Sequence, residues 1–528
     1  MPVTNLRQAK ILATLATLLS LGVSSARADV VEFKFGGQIA SDIRYRLGGE
    51  EIPPENSSTA PFPSQQRLLK YGFSRNENLI KAQITLTVAN HVKAVADVDF
   101  IWYGYSDVND IDAAPLHEKV DPYRLEAHAA YIDVYHLIPK VDLRIGRQVV
   151  NWGTADKFNP TNNLNTLDLS DPLLFGRALA NNMIRADFNP WRDLILTVVW
   201  VPIFRPAQLP RTAPLAVTEA QRPPPVQEDD IRAQLGQLAL AMPPTQINVF
   251  TQQPETSIEN SQVGVRFGGR LLGQDLSLSY YHGRFGIPVP AWVEQGPQGI
   301  VNVGVMWPKE DIIGFDWAGS LSKLGGIGYW VEGAVTFPQK VTYGIYNDST
   351  SGHDPVTFTY DAAEKTHNLH VGFPLAQLPT VIPSTPFFKL TAGLDYSFNK
   401  YLYGNFQYVH GFIDEFGAGK ALYARPGAHI GDPARTEARI GEYLVVGADL
   451  KLFNDALLFR LFGVFKLPEV GDPEPKFTAV IFPQIAWAVW DATELSVGAF
   501  VFLGDRDTKF GDPASGASEL FCKAKFTY

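Results

Sequence analysis

The sequence predicts an all-β fold, a transmembrane antiparallel up-and-down β-barrel of about 18 strands with short periplasmic turns and long extracellular loops. Three observations carry that prediction. The chain ends in a segment with period-two alternation. The same strand–turn–strand unit recurs along its length. No apolar run beyond residue 28 is long enough to cross a bilayer as a helix.

In the last segment, residues 517–528, Leu520, Cys522, Ala524, Phe526 and Tyr528 share one face. Glu519, Lys523, Lys525 and Thr527 share the other, and Phe521 is the apolar exception. One greasy face and one charged face suit a wall between lipid and water. The aromatic ending resembles the C-terminal signal by which outer-membrane barrels are recognised. Phe526 and Tyr528 are therefore expected to engage the barrel-assembly machinery.

The chain opens with Arg7 and Lys10, an apolar run from Ile11 to Val23, and Ala26-Arg27-Ala28. That is the pattern of a secretory signal peptide over residues 1–28, cleaved after Ala28. Its removal takes three positive charges, so the formal net charge moves from −10 to about −13. An acidic exported chain is a poor nucleic-acid binder. Hydrophobic residues make up 45% and mean hydropathy is −0.05, as expected when half of every wall strand is polar. One closed sheet can use all of 29–528 as a single domain. Cys522 is the one cysteine, so no internal disulfide forms.

The first strand spans about 33–47, with Phe33, Phe35, Ile39, Ile43, Tyr45 and Leu47 on one face. Lys34, Gln38, Asp42, Arg44 and Arg46 lie on the other. The second sets Ile80, Ala82, Ile84, Leu86 and Val88 against Lys81, Gln83, Thr85 and Thr87. Asn90-His91 turns the chain into a third, where Val92 to Trp102 alternates against Lys93, Asp97 and Asp99. Strands follow near 123–136 and 140–150, with Pro139 between them. Later pairs lie near 180–189 and 192–201, 258–268 and 273–285, 312–323 and 325–336, and 387–399 and 400–413. The last are 441–453 and 455–466, then 475–489 and 491–503. Their turns carry Asn189-Pro190-Trp191, Gly273-Gln274, Gly325-Gly326, Asn399-Lys400, Asn454-Asp455 and Trp490-Asp491, mostly residues suited to tight hairpins. Pro483 predicts a bulge. Gly-Asp-Pro recurs at 431–433, 471–473 and 511–513 as a turn starter.

About 18 strands enclose a cylinder too wide for its own side chains to fill. The inward register should then hold the function. It gathers Lys34, Arg44, Arg46, Lys81, Lys93, Arg124 and Arg144, and closure adds Lys523 and Lys525. Interleaved acids (Asp42, Asp97, Asp99, Glu126, Asp142) can satisfy many of them. Charge rings of this kind tune ion preference in pores.

The most individual stretch reads Arg144-Ile145-Gly146-Arg147-Gln148, then Asn151-Trp152-Gly153-Thr154-Ala155-Asp156-Lys157, then Asn159-Pro160-Thr161-Asn162-Asn163, and runs on through Asp168 and Asp171 to Arg177. Gly-Arg-Gln ending a strand, followed by Trp-Gly and Asn-Pro, resembles a large family of proteobacterial outer-membrane barrels. It is more distantly similar to alginate-export and substrate-specific channel barrels. The local match covers about 35 residues. In porin-like barrels the third outer loop folds into the lumen. By strand count that loop is about 151–179, so the resemblance implies a constriction there. Without the resemblance, the sequence shows a polar, Asn-rich loop that can equally lie on the surface. The loop at 202–257 holds Ile231, Leu235, Leu238 and Met242 at helical spacing, which predicts a short amphipathic helix, either packed on neighbouring loops or lying over the mouth.

Chemistry is sparse. His367 and His370 sit near Asp361 and Glu364, a spacing that can ligate metal but recurs by chance. His282 and His410 fall on the lipid register beside Tyr280 and Tyr408, as in an aromatic girdle. No nucleophilic-serine, phosphate-loop or dinucleotide pattern occurs in the right setting. The expectation is therefore a non-enzymatic outer-membrane channel without cofactor or metal, passing a small or medium solute. Its partners would be lipid and lipopolysaccharide, and it would work as monomer or trimer. Two alternatives stand: a surface receptor, adhesin or structural barrel with a closed lumen, and transport of an apolar substrate through a lateral opening.

Overall fold

The computed structural model describes residues 31–47, 72–210, 246–347, 357–382, 386–416, 440–468 and 475–528. Within these it omits 107, 109–110, 172, 174, 192, 272, 296–299, 340, 362–365, 371–375, 506–507 and 512–515.

Eighteen strands form one sheet that closes on itself. They are β1 Val31–Arg46, β2 Gly72–Val88, β3 Val92–Tyr103, β4 Tyr123–Ile138, β5 Val141–Gln148 and β6 Asn181–Trp191. Next come β7 Leu194–Val201, β8 Gln262–Leu271, β9 Gln274–Arg284, β10 Lys309–Leu321, β11 Ile327–Pro338 and β12 Phe387–Ser397. The ring ends with β13 Leu402–His410, β14 Glu442–Leu452, β15 Leu457–Lys466, β16 Thr478–Trp490, β17 Thr493–Leu503 and β18 Glu519–Thr527. Each strand pairs antiparallel with the next, and β18 pairs with β1 from Arg46↔Glu519 to Gln38↔Thr527. Closure leaves no edge strand, which lipid requires because it offers backbone groups no hydrogen-bond partner.

The alternation read from sequence divides the two faces. Phe33, Phe35, Ile39, Ile80, Ile84, Leu394, Leu461, Ile485 and Val497 are exposed on the outside. Asp42, Arg44, Asp99, Asp133, Asp316, Glu332, Thr391 and Gln407 are buried on the inside. Cys522 is exposed among the outward-facing residues. His282 and His410 are cross-strand from Asp311 and Glu442 and bond to them at 2.8 and 2.7 Å. Tyr280 and Tyr408 bond the same two carboxylates.

Several boundaries differ from the expectation. β6 runs on to Trp191, so Asn189-Pro190-Trp191 lies within the strand, at a register shift against β7 between Phe188 and Trp191. Residues 258–260 form a 3-10 turn, and β8 starts only at Gln262. Pro483 makes no bulge. Pairing between β16 and β17 lapses beside it and resumes in the same register, from Ile481↔Val501 to Gln484↔Gly498. Proline removes one donor from the ladder without adding a residue. The register shift falls instead at Ala488/Trp490.

The long loops hold more structure than expected. Strands 246–252, 300–306, 289–295, 341–347 and 376–382 form a separate five-stranded sheet in that order. Strands 357–361 and 366–370 pair antiparallel, while the side chains of His367 and His370 lie outside the described residues. So do the signal peptide, the helix expected within 229–242, and nearly all of the Gly-Asp-Pro sites.

Candidate functional site

The site is the lumen and the chain segment that enters it after β5. Two asparagines tie the base of that segment. Asn165 Oδ1 accepts from the Val150 N–H at 2.8 Å, and its amide donates to Leu179 O at 2.7 Å. Asn162 Oδ1 accepts from Trp152 N–H at 3.2 Å. Val150, Trp152, Leu164 and Met183 then pack with Val199, Val201, Tyr281, Ile312 and Ala334 of the inner wall. Glycines make room for them. A Cβ at Gly264 would lie 2.7 Å from the Trp152 ring, and one at Gly314 would lie 2.5 Å from Thr161.

Beyond its base, the segment reaches β11, β12 and β13. Glu332 of β11 is 0% exposed. Its carboxylate accepts from Thr154 N–H at 2.9 Å, Ala155 N–H at 3.0 Å and Asn159 Nδ2 at 3.2 Å. It also accepts from Thr161 N–H at 2.9 Å and Thr161 Oγ1 at 2.7 Å. The chain can wrap this carboxylate because Gly153 sits at φ 87, and a Cβ there would meet Glu332 oxygen at 2.3 Å. Thr391 Oγ1 donates to Phe158 O at 2.6 Å, and Gln407 Nε2 donates to Asp156 O at 3.3 Å. Phe158 and Phe175 pack at tilted angles against Phe412, and the cluster continues into Tyr443, Val445, Val464 and Phe510.

The returning half meets the opposite part of the ring. Asp171 accepts from Arg44 at 2.6 and 2.9 Å and from Arg75 at 2.8 Å. Arg44 is 1% exposed and also bonds Asp42 at 2.7 Å. Burial alone would raise the Asp171 carboxyl. The hydrogen bonds and charge of Arg44, with Arg75, outweigh burial and hold it at about 2. Asp168 is also held low against burial, by hydrogen bonds from Ser170 and Arg177. Arg177 lies 3.6 Å from Glu126 as well.

The other residues singled out from sequence scatter around the ring, mostly in ion pairs. Arg46 meets Glu519 at 3.4 Å, Lys81 meets Asp97 at 3.0 Å, Arg124 meets Glu126 at 3.6 Å, and Lys525 meets Glu494 at 3.1 Å. Arg144 bonds Asp133 at 2.5 Å and lies over the Tyr131 ring. Lys34 is exposed near the start of β1, 3.0 Å from Glu32. Lys93 stands across the ladder from Asp133, and Lys523 across from Asp42 and Ser496. Arg147 donates to Ala127 O, and Asn163 donates to Pro160 O at 2.8 Å. Lys157 adopts φ 70.

Sequence reading missed Arg75, which precedes the alternation read from Ile80, and Glu332, whose partners lie more than 170 residues away. It also missed charges on the far side: Arg185 with Asp187, Arg266 with Asp316, and Arg460 with Asp449. The available signal for Glu332 was one carboxylate at an inward position between Trp330 and Ala334.

No protein-family model matches the sequence, and no curated protein is detectably similar to it. Among solved structures, Acinetobacter baumannii OccAB4 is 10% identical, with TM-score 0.46 over 95% of this chain and 99% of that one. Pseudomonas aeruginosa OccK5 (OpdH) is 9% identical, with TM-score 0.42 over 94% and 97%. A mutant of Rh. blastica porin is 9% identical, with TM-score 0.35 over 94% and 100%. The barrel is defined by its own strand pairing.

Proposed function

We propose that the protein is a porin-like, non-enzymatic channel of the outer membrane that passes a small or medium solute passively. The observation that supports this most is the charged, hydrogen-bonding inner register of a closed 18-strand ring. In this reading the segment held by Glu332 on one side and, through Asp171, by Arg44 and Arg75 on the other narrows the passage, and Arg147, Asp156, Lys157, Asn159, Asn162 and Asn163 help to line it. The resemblance of the Gly-Arg-Gln and Trp-Gly stretch to proteobacterial channel barrels supports the same reading. The chain would reach the membrane through its signal peptide, cleaved after Ala28. Phe526 and Tyr528 would serve recognition by the assembly machinery, and the rim would contact lipopolysaccharide.

Liposome swelling tests the proposal. Vesicles holding the refolded protein should swell in isotonic sugars and amino acids, at rates that fall with solute size. Vesicles that do not swell in any small solute contradict it. The five-stranded loop sheet favours a second reading, a surface receptor with a closed lumen. Absent swelling together with tight, loop-dependent ligand binding would support that one.

A further inference from the structure

A hollow of about 510 Å³ opens on the lumen side of β8 to β12, between the crossing segment and the short turns. Arg270, Asp275, Ser320, Trp330 and Asp395 line it from successive strands, and Thr154 of the crossing segment joins them. Their register is inward. Arg270 shares parity with Arg266, Asp275 with Ser277, Ser320 with Asp316, Trp330 with Glu332, and Asp395 with Thr391, all of which turn to the inside. The site needs a small residue at Gly328, where a Cβ would lie 2.0 Å from Asp395 oxygen.

The lumen's ion pairs stop short of this hollow. Arg270 and Asp275 face each other across the β8–β9 ladder, yet among the described residues no ion pair within 4.0 Å joins them. The Thr154 hydroxyl is shielded and has no hydrogen-bond partner. The hollow thus offers an unpaired guanidinium fork, an unpaired carboxylate and the Trp330 indole, whose N–H already donates to Gln407 at 2.9 Å, while the Thr154 hydroxyl is sequestered behind them. One guanidinium against two carboxylates leaves it net negative, which disfavours an anion. A sugar hydroxyl both donates and accepts, so one vicinal pair can bridge Arg270 and Asp275 without bringing a charge to desolvate. The volume falls within the range of small-molecule sites, roughly 300–1,000 Å³.

We propose that this hollow is a resting site for a neutral polyol of mono- or disaccharide size, on the short-turn side of the crossing segment. The inference rests on the channel reading above and adds a substrate class to it. Its test is sugar-induced current block in single channels, with glucose or sucrose added on the short-turn side. The wild type should show saturable blocks. The double variant Arg270→Gln, Asp275→Asn should weaken them at least about tenfold while keeping the unblocked current, since both lost contacts are charge-assisted. Equal blocks in wild type and variant overturn the proposal, and so does stronger block by alanine or acetate than by glucose. Equilibrium dialysis of the detergent-solubilised barrel against labelled sucrose reads the site without conduction. Binding that depends on Arg270 and Asp275 in a silent barrel sinks the channel but keeps the site. Conduction without sugar binding sinks the site alone.

Discussion

Glu332 is a single carboxylate that holds three backbone N–H groups, one hydroxyl and one side-chain amide of the crossing segment. Each buried donor left without a partner costs about 1–3 kcal/mol. Glu332→Ala should therefore free the segment rather than unfold the ring. Hydrogen exchange reads this directly, and the amides of Thr154, Ala155 and Thr161 should lose protection while those of β11 keep theirs. Asp171 anchors the other side. Asp171→Asn leaves Arg44 buried with Asp42 as its one remaining acid and weakens charge-assisted hydrogen bonds, at a cost of about 1.5–3 kcal/mol. The pH dependence follows from its low folded pKa. The Asp171 contribution is complete above its unfolded value, about 4, and is lost as pH falls toward about 2. Exchange protection at Leu173, whose N–H donates to Asp171, should hold from neutral pH to about 4 and then decline. The Asn variant should lack that transition. At this scale the sequence exposed the loop side of each contact, because Asp168, Asp171, Asn162 and Arg177 stand out in a polar stretch. On the wall it showed Arg44, the partner of Asp171, but hid Glu332, Thr391 and Gln407, which acquire partners only when a closed ring brings distant strands round to face the segment after β5.

The strands themselves were largely legible, since period-two alternation and tight turns are local properties. Gly325-Gly326 and Asn454-Asp455 do adopt positive φ, as hairpin turns require. Pro190 and Pro483 misled in different ways: Pro190 sits in the strand at a register shift between Phe188 and Trp191, and Pro483 is absorbed in a barrel strand with the register kept. The seam between β18 and β1 shows how one element is fixed. Gly37 and Tyr528 exchange backbone hydrogen bonds at 3.0 and 3.1 Å, and the Tyr528 hydroxyl reaches across β1 to Lys81 O at 2.9 Å. A Cβ at Gly37 would lie 2.0 Å from Lys81 O and 2.7 Å from the Tyr528 hydroxyl. Gly37→Ala should therefore disturb closure strongly, whereas Tyr528→Phe should remove about 1 kcal/mol. The migration shift between heated and unheated samples in detergent gels checks both. The alanine variant should lose the compact band at a much lower temperature than wild type, and the phenylalanine variant at a slightly lower one.

Around much of the ring, basic side chains come with acids beside them, as in Arg185 with Asp187, Arg460 with Asp449 and Lys525 with Glu494. Water-exposed pairs of this kind add little stability, about 0–1 kcal/mol each, and largely cancel one another's field. A wide passage lined this way should discriminate weakly by charge, so its selectivity would come from the width left by the crossing segment. Single-channel conductance in a planar bilayer tests that claim most directly. The account predicts steady current steps for the wild type and larger, noisier steps for Glu332→Ala. A barrel that passes no current in either form, or the same current in both, would contradict it.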